Sequence, residues 1–370
     1  MEAVKTEAVL ESPINTSLDN PQINNLIEVK RVKQNNVSTL IFFVTNRCNF
    51  KCNHCFYWQS LNINDVLSTE NIKKIIDSIG DLDTLLMAGG EPFLRQDLVE
   101  ISEYFIEKCN LRLLSIPTNG SMRNRILDFI PKISPKCKLR IYISIDGLKE
   151  THNHIRQVDS FDNCISMLKE LVELKKKYNF SPLANVTVSN KNMHEIEGLA
   201  KIFNEIGVHY SVVPLRGAPK DGGLRPPTSK EWGDLIDKLV KDRQFLGPEA
   251  SFHNNKTNMI KKIHRKLLVK FKTKMYQDAL DGKRNYICKA GDEIGVIDYE
   301  GKVFFCELTK QVGDLKDFDY DFNKLWFSQK ANDYRPEIQT CVCTHGCFIR
   351  SKYMRTAEWF NRMLSPILEI

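Results

Sequence analysis

Three cysteines, Cys48, Cys52 and Cys55, fall within the nine-letter stretch RCNFKCNHC. Their spacing is C-x3-C-x2-C. Thiolates this close together suit soft metals and iron–sulfur clusters. A cubane cluster has four irons, so three cysteines leave one iron open to chelate a further molecule. Zinc is the structural alternative, although structural zinc prefers four protein ligands in paired C-x2-C units.

A second group lies in the last third of the chain. Cys288 and Cys306 bracket CKAGDEIGVIDYEGKVFFC, whose interior reads as a hairpin with a turn at Glu300-Gly301. Cys341, Cys343 and Cys347 follow in CVCTHGC. Four ligands complete a cubane, so one of these five is spare, and a zinc site is the competing reading. His345 is a further candidate ligand, set against the plainer role of an exposed loop histidine. Cys109, Cys137 and Cys164 lie in or beside apolar stretches and are expected to be small core residues.

These groups need elements to position them. From residue 38 to 215, short apolar runs alternate with amphipathic segments. The runs are 38–45, 84–89, 111–117, 139–146, 183–189 and 210–215; helical patterns lie between them, as at 69–80 and 164–178. Strands alternating with helices predict a parallel sheet with covering helices. Six units are too few for a closed eight-fold barrel. The expectation is an α/β fold, an open partial (β/α)6 barrel. Cys48, Cys52 and Cys55 then sit just after the first strand, at the carboxyl end of the sheet, where open α/β folds place ligands.

Other polar residues recur at the same rim. Gly89, Gly90 and Glu91 follow the second run in MAGGEP, and Thr118 and Asn119 follow the third in PTNG. Ser144 and Asp146 end the fourth in ISIDG, two apart and so on one face of a strand. Arg156 lies in HNHIRQ, and Val213 to Leu215 lie in VVPLRG. Any one of these alone would read as a structural turn or a solvated charge. In this order, after these cysteines, the sequence over 38–216 resembles the radical S-adenosylmethionine (SAM) enzymes.

The resemblance implies a [4Fe-4S] cluster on Cys48, Cys52 and Cys55, with SAM chelating its open iron. It implies that Gly89, Gly90 and Glu91 meet the methionine amino group, as glycines allow close backbone approach and a carboxylate pairs with an ammonium. Thr118 and Asn119 share that rim. It further implies that Ser144 and Asp146 contact the ribose, that Arg156 grips the methionine carboxylate, and that Val213 and Leu215 bracket the adenine. His54 stands where the family usually has an aromatic. Residues 285–350 resemble the auxiliary-cluster domain called twitch or, in its longer form, SPASM. That implies a second, auxiliary [4Fe-4S] cluster. Cys288, Cys306 and Cys347 fit its pattern best, with Cys341 and Cys343 competing for the fourth place.

The remaining segments are read from composition. Residues 1–37 are polar and Asn-rich, a flexible extension. Residues 217–284 hold a Pro/Gly-rich linker or lid and then a basic helical stretch. Residues 351–370 read as a closing helix. Within 256–274, Met259, Ile260, Ile263, Leu267, Leu268 and Phe271 fall on one helical face among eight basic residues. Such a helix could rest on an anionic membrane surface; the competing reading is an ordinary packed helix. The net charge of +7 does not call for nucleic acid. No apolar run spans a membrane and no secretory signal opens the chain, so a cytoplasmic location is expected and disulfides are not.

The expected function is reductive cleavage of SAM to a 5′-deoxyadenosyl radical. That radical takes hydrogen from a small molecule such as a sugar, cyclitol or lipid precursor. The electron would come from a low-potential donor such as flavodoxin or ferredoxin. The auxiliary cluster would accept an electron, making the enzyme an oxidoreductase, or position the substrate for rearrangement or epimerisation. Cys164 or a spare cysteine could serve as a thiol donor. The terminal segments are too short for the roughly 80-residue leader-binding domain of many peptide-modifying members, which leaves peptide maturation as the alternative. A zinc-stabilised, non-enzymatic binding protein is the third reading.

Overall fold

A computed structural model describes residues 36–63, 67–248, 259–284, 286–345 and 349–351. The extension at 1–35, Cys347 and the helix expected from 352 onward lie outside the described residues.

The first half alternates strand and helix: β1 (Thr39–Thr45), α1 (Thr69–Ile79), β2 (Thr84–Gly89), α2 (Leu98–Lys108), β3 (Leu113–Thr118), α3 (Arg123–Ile133), β4 (Lys138–Ser144), α4 (Lys149–Arg156), α5 (Phe161–Leu174), β5 (Phe180–Val188), α6 (Ile196–Ile206) and β6 (His209–Pro214). Then come α7 (Ser229–Leu239), β7 (Phe245–Pro248), α8 (Met259–Leu280), β8 (Tyr286–Cys288), β9 (Ile294–Ile297), β10 (Lys302–Phe304), β11 (Gln311–Asp314), α9 (Phe322–Trp326), α10 (Gln329–Ile338) and β12 (Ile349–Ser351).

Local chemistry explains the elements. Ser68 caps α1 by accepting from the Asn71 N–H, and Ile72, Ile75, Ile76 and Ile79 form the buried face of that helix. β1 is apolar along almost its whole length, because both faces of a parallel sheet are covered. In β4 and β5 the burial alternates. Leu139, Ile141 and Ile143, with Ala184, Val186 and Val188, are fully buried; Ser144, Asn185 and Thr187 lie on the opposite, partly open face.

Among the described residues the main sheet has the order β11-β10-β9-β1-β2-β3-β4-β5-β6-β7, with β1 to β6 parallel throughout. The six expected strands are therefore consecutive, and the sheet extends beyond them at both edges. β7 pairs parallel to β6. Its sequence, FLGP, has no readable period. β9 pairs parallel to β1, from Thr39 opposite Ile294 to Phe42 opposite Ile297. The hairpin expected around Glu300-Gly301 is present, with Gly301 at φ +92°. β8 and β12 form a separate antiparallel pair.

The basic helix α8 packs on α7, with the rings of Trp232 and Tyr276 5.4 Å apart and Gln277 Nε2 donating to the Ser229 carbonyl. From Val269 on, Lys272, Thr273, Met275, Tyr276, Asp278 and Ala279 are buried, so this half is a packed helix. The side chains of Met259 to Leu268, on which a membrane-facing stripe depended, lie outside the described residues. Among the described residues no helix is long and apolar enough to cross a membrane.

Candidate active site

The loops after β1, β2, β3, β4 and β6 meet around one cavity of about 240 Å³. Cys48, Cys52 and Cys55 line it, with Gly89, Gly90, Glu91, Thr118, Asn119, Ser144, Arg156, Val213 and Leu215. One water needs only ~10–15 Å³ of such space, so the cavity suits a ligand rather than isolated waters.

The cysteine loop is tied down on several sides. The Cys48 N–H donates to Asn62 Oδ1 at 3.0 Å, and the Asn53 N–H donates to the Ile155 carbonyl at the end of α4 at 2.8 Å. The Asp221 N–H, from the segment after β6, donates to the Asn53 carbonyl at 2.8 Å. Asn119 Nδ2 donates to Asn49 Oδ1 at 2.9 Å. Burial pushes the Cys48 thiol up to about 12 and the Cys55 thiol up to about 11; Cys52 is raised for the same reason. These sulfurs therefore keep their protons at neutral pH unless a metal displaces them.

Gly89 and Gly90 have a tighter constraint than ligand approach. A Cβ on Gly89 would lie 2.2 Å from the Thr45 carbonyl oxygen, and one on Gly90 would lie 2.1 Å from that of Arg47. The Gly90 and Glu91 N–H groups donate to those two carbonyls, at 2.8 Å each. The glycines thus seat the GGE turn directly on the cysteine loop. Thr118 and Asn119 serve the same turn. Thr118 Oγ1 and the Phe93 N–H donate to Glu91 Oε1, and the Asn119 N–H donates to Oε2 at 2.8 Å. Burial pushes the Glu91 carboxyl up against these donors. A carboxylate has about four acceptor sites, so one is left for a ligand's cation.

Ser144 and Asp146 part company. Ser144 lines the cavity; Asp146 is fully buried and is not among the lining residues. The strand period ends at Ser144, and beyond it the chain turns. The Asp146 N–H donates to His152 Nδ1, its Oδ1 accepts from the Thr187 N–H, and Oδ2 lies 2.5 Å from Arg156 Nη2. Arg156 Nη1 reaches Cys52 Sγ at 3.8 Å, and Nε is buried without a hydrogen-bond partner at the cavity. His54 lines the same wall 3.8 Å from Asp146, held neutral by burial with its pKa down to about 4.

Asn185, Thr187, Arg216 and Glu307 are among the wall residues that sequence reasoning did not single out. The first two carried a signal, as polar residues two apart in the apolar run LANVTVS. Arg216 and Glu307 carried a weaker one, each directly following a strand end or a cysteine. Arg216 Nη2 lies 3.2 Å from Glu307 Oε2, and the Arg216 guanidinium lies over the Phe56 ring at 5.4 Å. Cys164 is 1% exposed, donates to the Asn119 carbonyl and does not line the cavity. That placement corrects its suggested use as a thiol donor; Cys164 fills the space behind the loop.

The second group is also assembled. Cys288, Cys306, Cys341 and Cys343 lie close enough to perturb one another's ionisation. The Cys341 S–H and the His345 backbone N–H both donate to the Cys343 sulfur, pulling that thiol below its ordinary range and pushing Cys341 up. His345 is buried rather than exposed. Its Nδ1 lies 3.3 Å from Cys306 Sγ and its Nε2 2.9 Å from Glu307 Oε2.

The residues present fit a cluster and SAM. Cys52, which is buried, and Cys48 and Cys55, which are half-buried, line the cavity, Glu91 has acceptor capacity left, and the Arg156 Nε–H has no partner. Among the described residues, no three His, Cys, Asp or Glu side chains converge tightly enough to hold a single metal ion.

Comparison with known proteins agrees with this geometry. Residues 42–203 match the family model described as the Radical SAM superfamily. The chain is 28% identical over 170 residues to the Fe-coproporphyrin III synthase of Methanosarcina barkeri, spanning 45% of this chain but only 41% of that protein. It is 29% identical to the AdoMet-dependent heme synthase of the same organism, over 76% of this chain and 80% of that one. It is 26% identical to the subtilosin biosynthesis protein AlbA of Bacillus subtilis, over 89% and 72%. Streptococcus suis SuiB, solved with its precursor peptide SuiA, shares the fold at a TM-score of 0.59 and 15% identity, over 92% of this chain and 78% of that one.

Proposed function

The chain belongs to the radical SAM superfamily of enzymes, and from that premise we propose that its cavity cleaves SAM reductively and directs the resulting radical at a small-molecule substrate. The observation that carries the reading is the shared wall: Cys48, Cys52 and Cys55, the Gly89–Glu91 turn and Arg156 all border one cavity. Cys48, Cys52 and Cys55 would hold the cluster, which once reduced would supply the electron for cleavage of SAM to methionine and a 5′-deoxyadenosyl radical.

This chain's residues do the rest by position. Glu91 accepts from the methionine ammonium, and Arg156, held by Asp146, donates to the methionine carboxylate. Ser144, Val213 and Leu215 border the nucleoside portion. Phe43, Phe50, Tyr57 and Leu86 make much of the remaining wall apolar, which keeps water away from a reactive radical. A low-potential donor, flavodoxin or ferredoxin in kind, provides the electron.

Cys288, Cys306 and Cys347 are assigned to a second [4Fe-4S] cluster, with Cys341 and Cys343, which lie beside each other and beside Cys288 and Cys306, competing for the fourth place. The heme synthase similarity, covering most of both chains, supports a small-molecule substrate. Peptide maturation is the second reading, favoured by the AlbA similarity over 89% of this chain. Anaerobic iron and sulfide counting tests the cluster assignment. About eight irons per chain supports two cubanes, about four removes the second cluster, and zinc in place of iron overturns both. Substrate class is read from stimulation of 5′-deoxyadenosine formation by a dialysable extract; stimulation lost on protease treatment instead identifies a peptide.

A further inference from the structure

Arg216 and Glu307 come from chain segments 91 residues apart and meet on the cavity wall with Nη2 and Oε2 3.2 Å apart. The Glu307 side chain is almost fully buried, and the residue directly follows Cys306. Its Oε2 also faces His345 Nε2 at 2.9 Å, and His345 Nδ1 lies 3.3 Å from the Cys306 sulfur. A continuous polar series therefore runs from the cavity through Arg216, Glu307 and His345 to a cysteine of the second group. Arg216 is in turn stacked over Phe56, the residue after Cys55, so both cysteine groups border the series.

We propose that the Arg216–Glu307 pair sets the reduction potential of the group held by Cys306, acting on it from the cavity wall. The proposal rests on the reading that Cys306 is an auxiliary-cluster ligand. Reducing a cluster adds negative charge to it. A buried carboxylate beside a ligand opposes that change, and a guanidinium paired with the carboxylate offsets the opposition. Hydrogen bonds and charges just outside the ligands tune a metal centre in this way. Arg216 and Glu307 are positioning residues in this account; neither is assigned a bond to the cluster.

The test uses the full chain with Cys48, Cys52 and Cys55 changed to alanine, so that the auxiliary cluster alone contributes, followed by anaerobic reconstitution. Iron is counted first. Near-zero iron in a folded protein would defeat the auxiliary-cluster reading itself. With about four irons bound, an EPR-monitored potentiometric titration reads the pair. Arg216→Gln is expected to shift the midpoint to more negative potential and Glu307→Gln to more positive. The double variant is expected to fall between them, Arg216→Lys to restore the parent value, and Lys310→Gln on the surface to leave it unmoved. Unchanged midpoints in Arg216→Gln and Glu307→Gln, or shifts of the same sign, would overturn the proposal. Repeating the titrations with Cys48, Cys52 and Cys55 intact keeps the test open if the triple variant misfolds.

Discussion

Arg156 and Asp146 form a buried ion pair, Nη2 to Oδ2 2.5 Å, whose guanidinium also reaches the Cys52 sulfur. Asp146 is fully buried and Arg156 is 8% exposed, so neither charge can turn to water. Removing one partner of such a pair strands the other. Asp146→Asn is expected to lower stability by about 3–5 kcal/mol, measured by urea unfolding of the anaerobic protein. A loss below about 1 kcal/mol, the range of an exposed pair, would show that Arg156 finds another partner.

Gly90 is set against the cysteine loop with no room for a side chain. Gly90→Ala forces its Cβ into the Arg47 carbonyl and must displace that loop. The expected cost is about 1–3 kcal/mol or more, together with loss of iron bound by the first cysteine group. Full iron loading in Gly90→Ala would mean that the loop tolerates the displacement.

Stability should also depend on pH through His152. Its Nδ1 accepts from the Asp146 N–H, its Nε2 faces Ser160 Oγ, and burial holds its pKa down to about 4. Unfolding returns it to about 6.5. Between these values the unfolded chain binds the additional proton, so the contribution is complete above pH 6.5 and is lost as pH falls toward 4. At pH 5 the loss is about 2 kcal/mol relative to pH 7. Unfolding curves for His152→Asn should show a correspondingly smaller decline over that interval; an equal decline would place the proton elsewhere.

Thr228 and Glu231 form a reciprocal capping box at the start of α7. Thr228→Ala is expected to cost about 1 kcal/mol in urea unfolding. Iron content and SAM cleavage should be unchanged, since the cap lies away from the cavity wall. A loss of iron alongside stability would mean that α7 supports the site more directly than its packing indicates.

Much of this was legible in the sequence. The six core strands lie within a few residues of their apolar runs: β1, buried on both faces, reads as a continuous apolar run, whereas β4 and β5, open on one face, alternate. The strand ends place Cys48, Glu91 and Thr118 at one rim, and α4 brings Arg156 to it. Other features depend on tertiary contacts. FLGP becomes a strand only because β6 offers an edge, and β9 joins β1 across more than 240 residues of sequence. The two-residue period that paired Ser144 with Asp146 fails because the strand stops between them. The sequence alone assigns Gly89 and Gly90 to ligand approach, whereas the nearest atoms belong to the Thr45 and Arg47 backbone. The Arg216–Glu307 contact has no local signature, since its partners are brought together by β6 and by the turn after β10.

On the proposed reading, the cavity bounded by Cys48, Cys52 and Cys55 cleaves SAM. The direct measurement is 5′-deoxyadenosine formed by anaerobically reconstituted, dithionite-reduced protein supplied with SAM, set beside Cys52→Ala treated identically. Product is expected from the parent chain and none above background from Cys52→Ala. Equal product from both, or none from an iron-loaded parent chain, would contradict it.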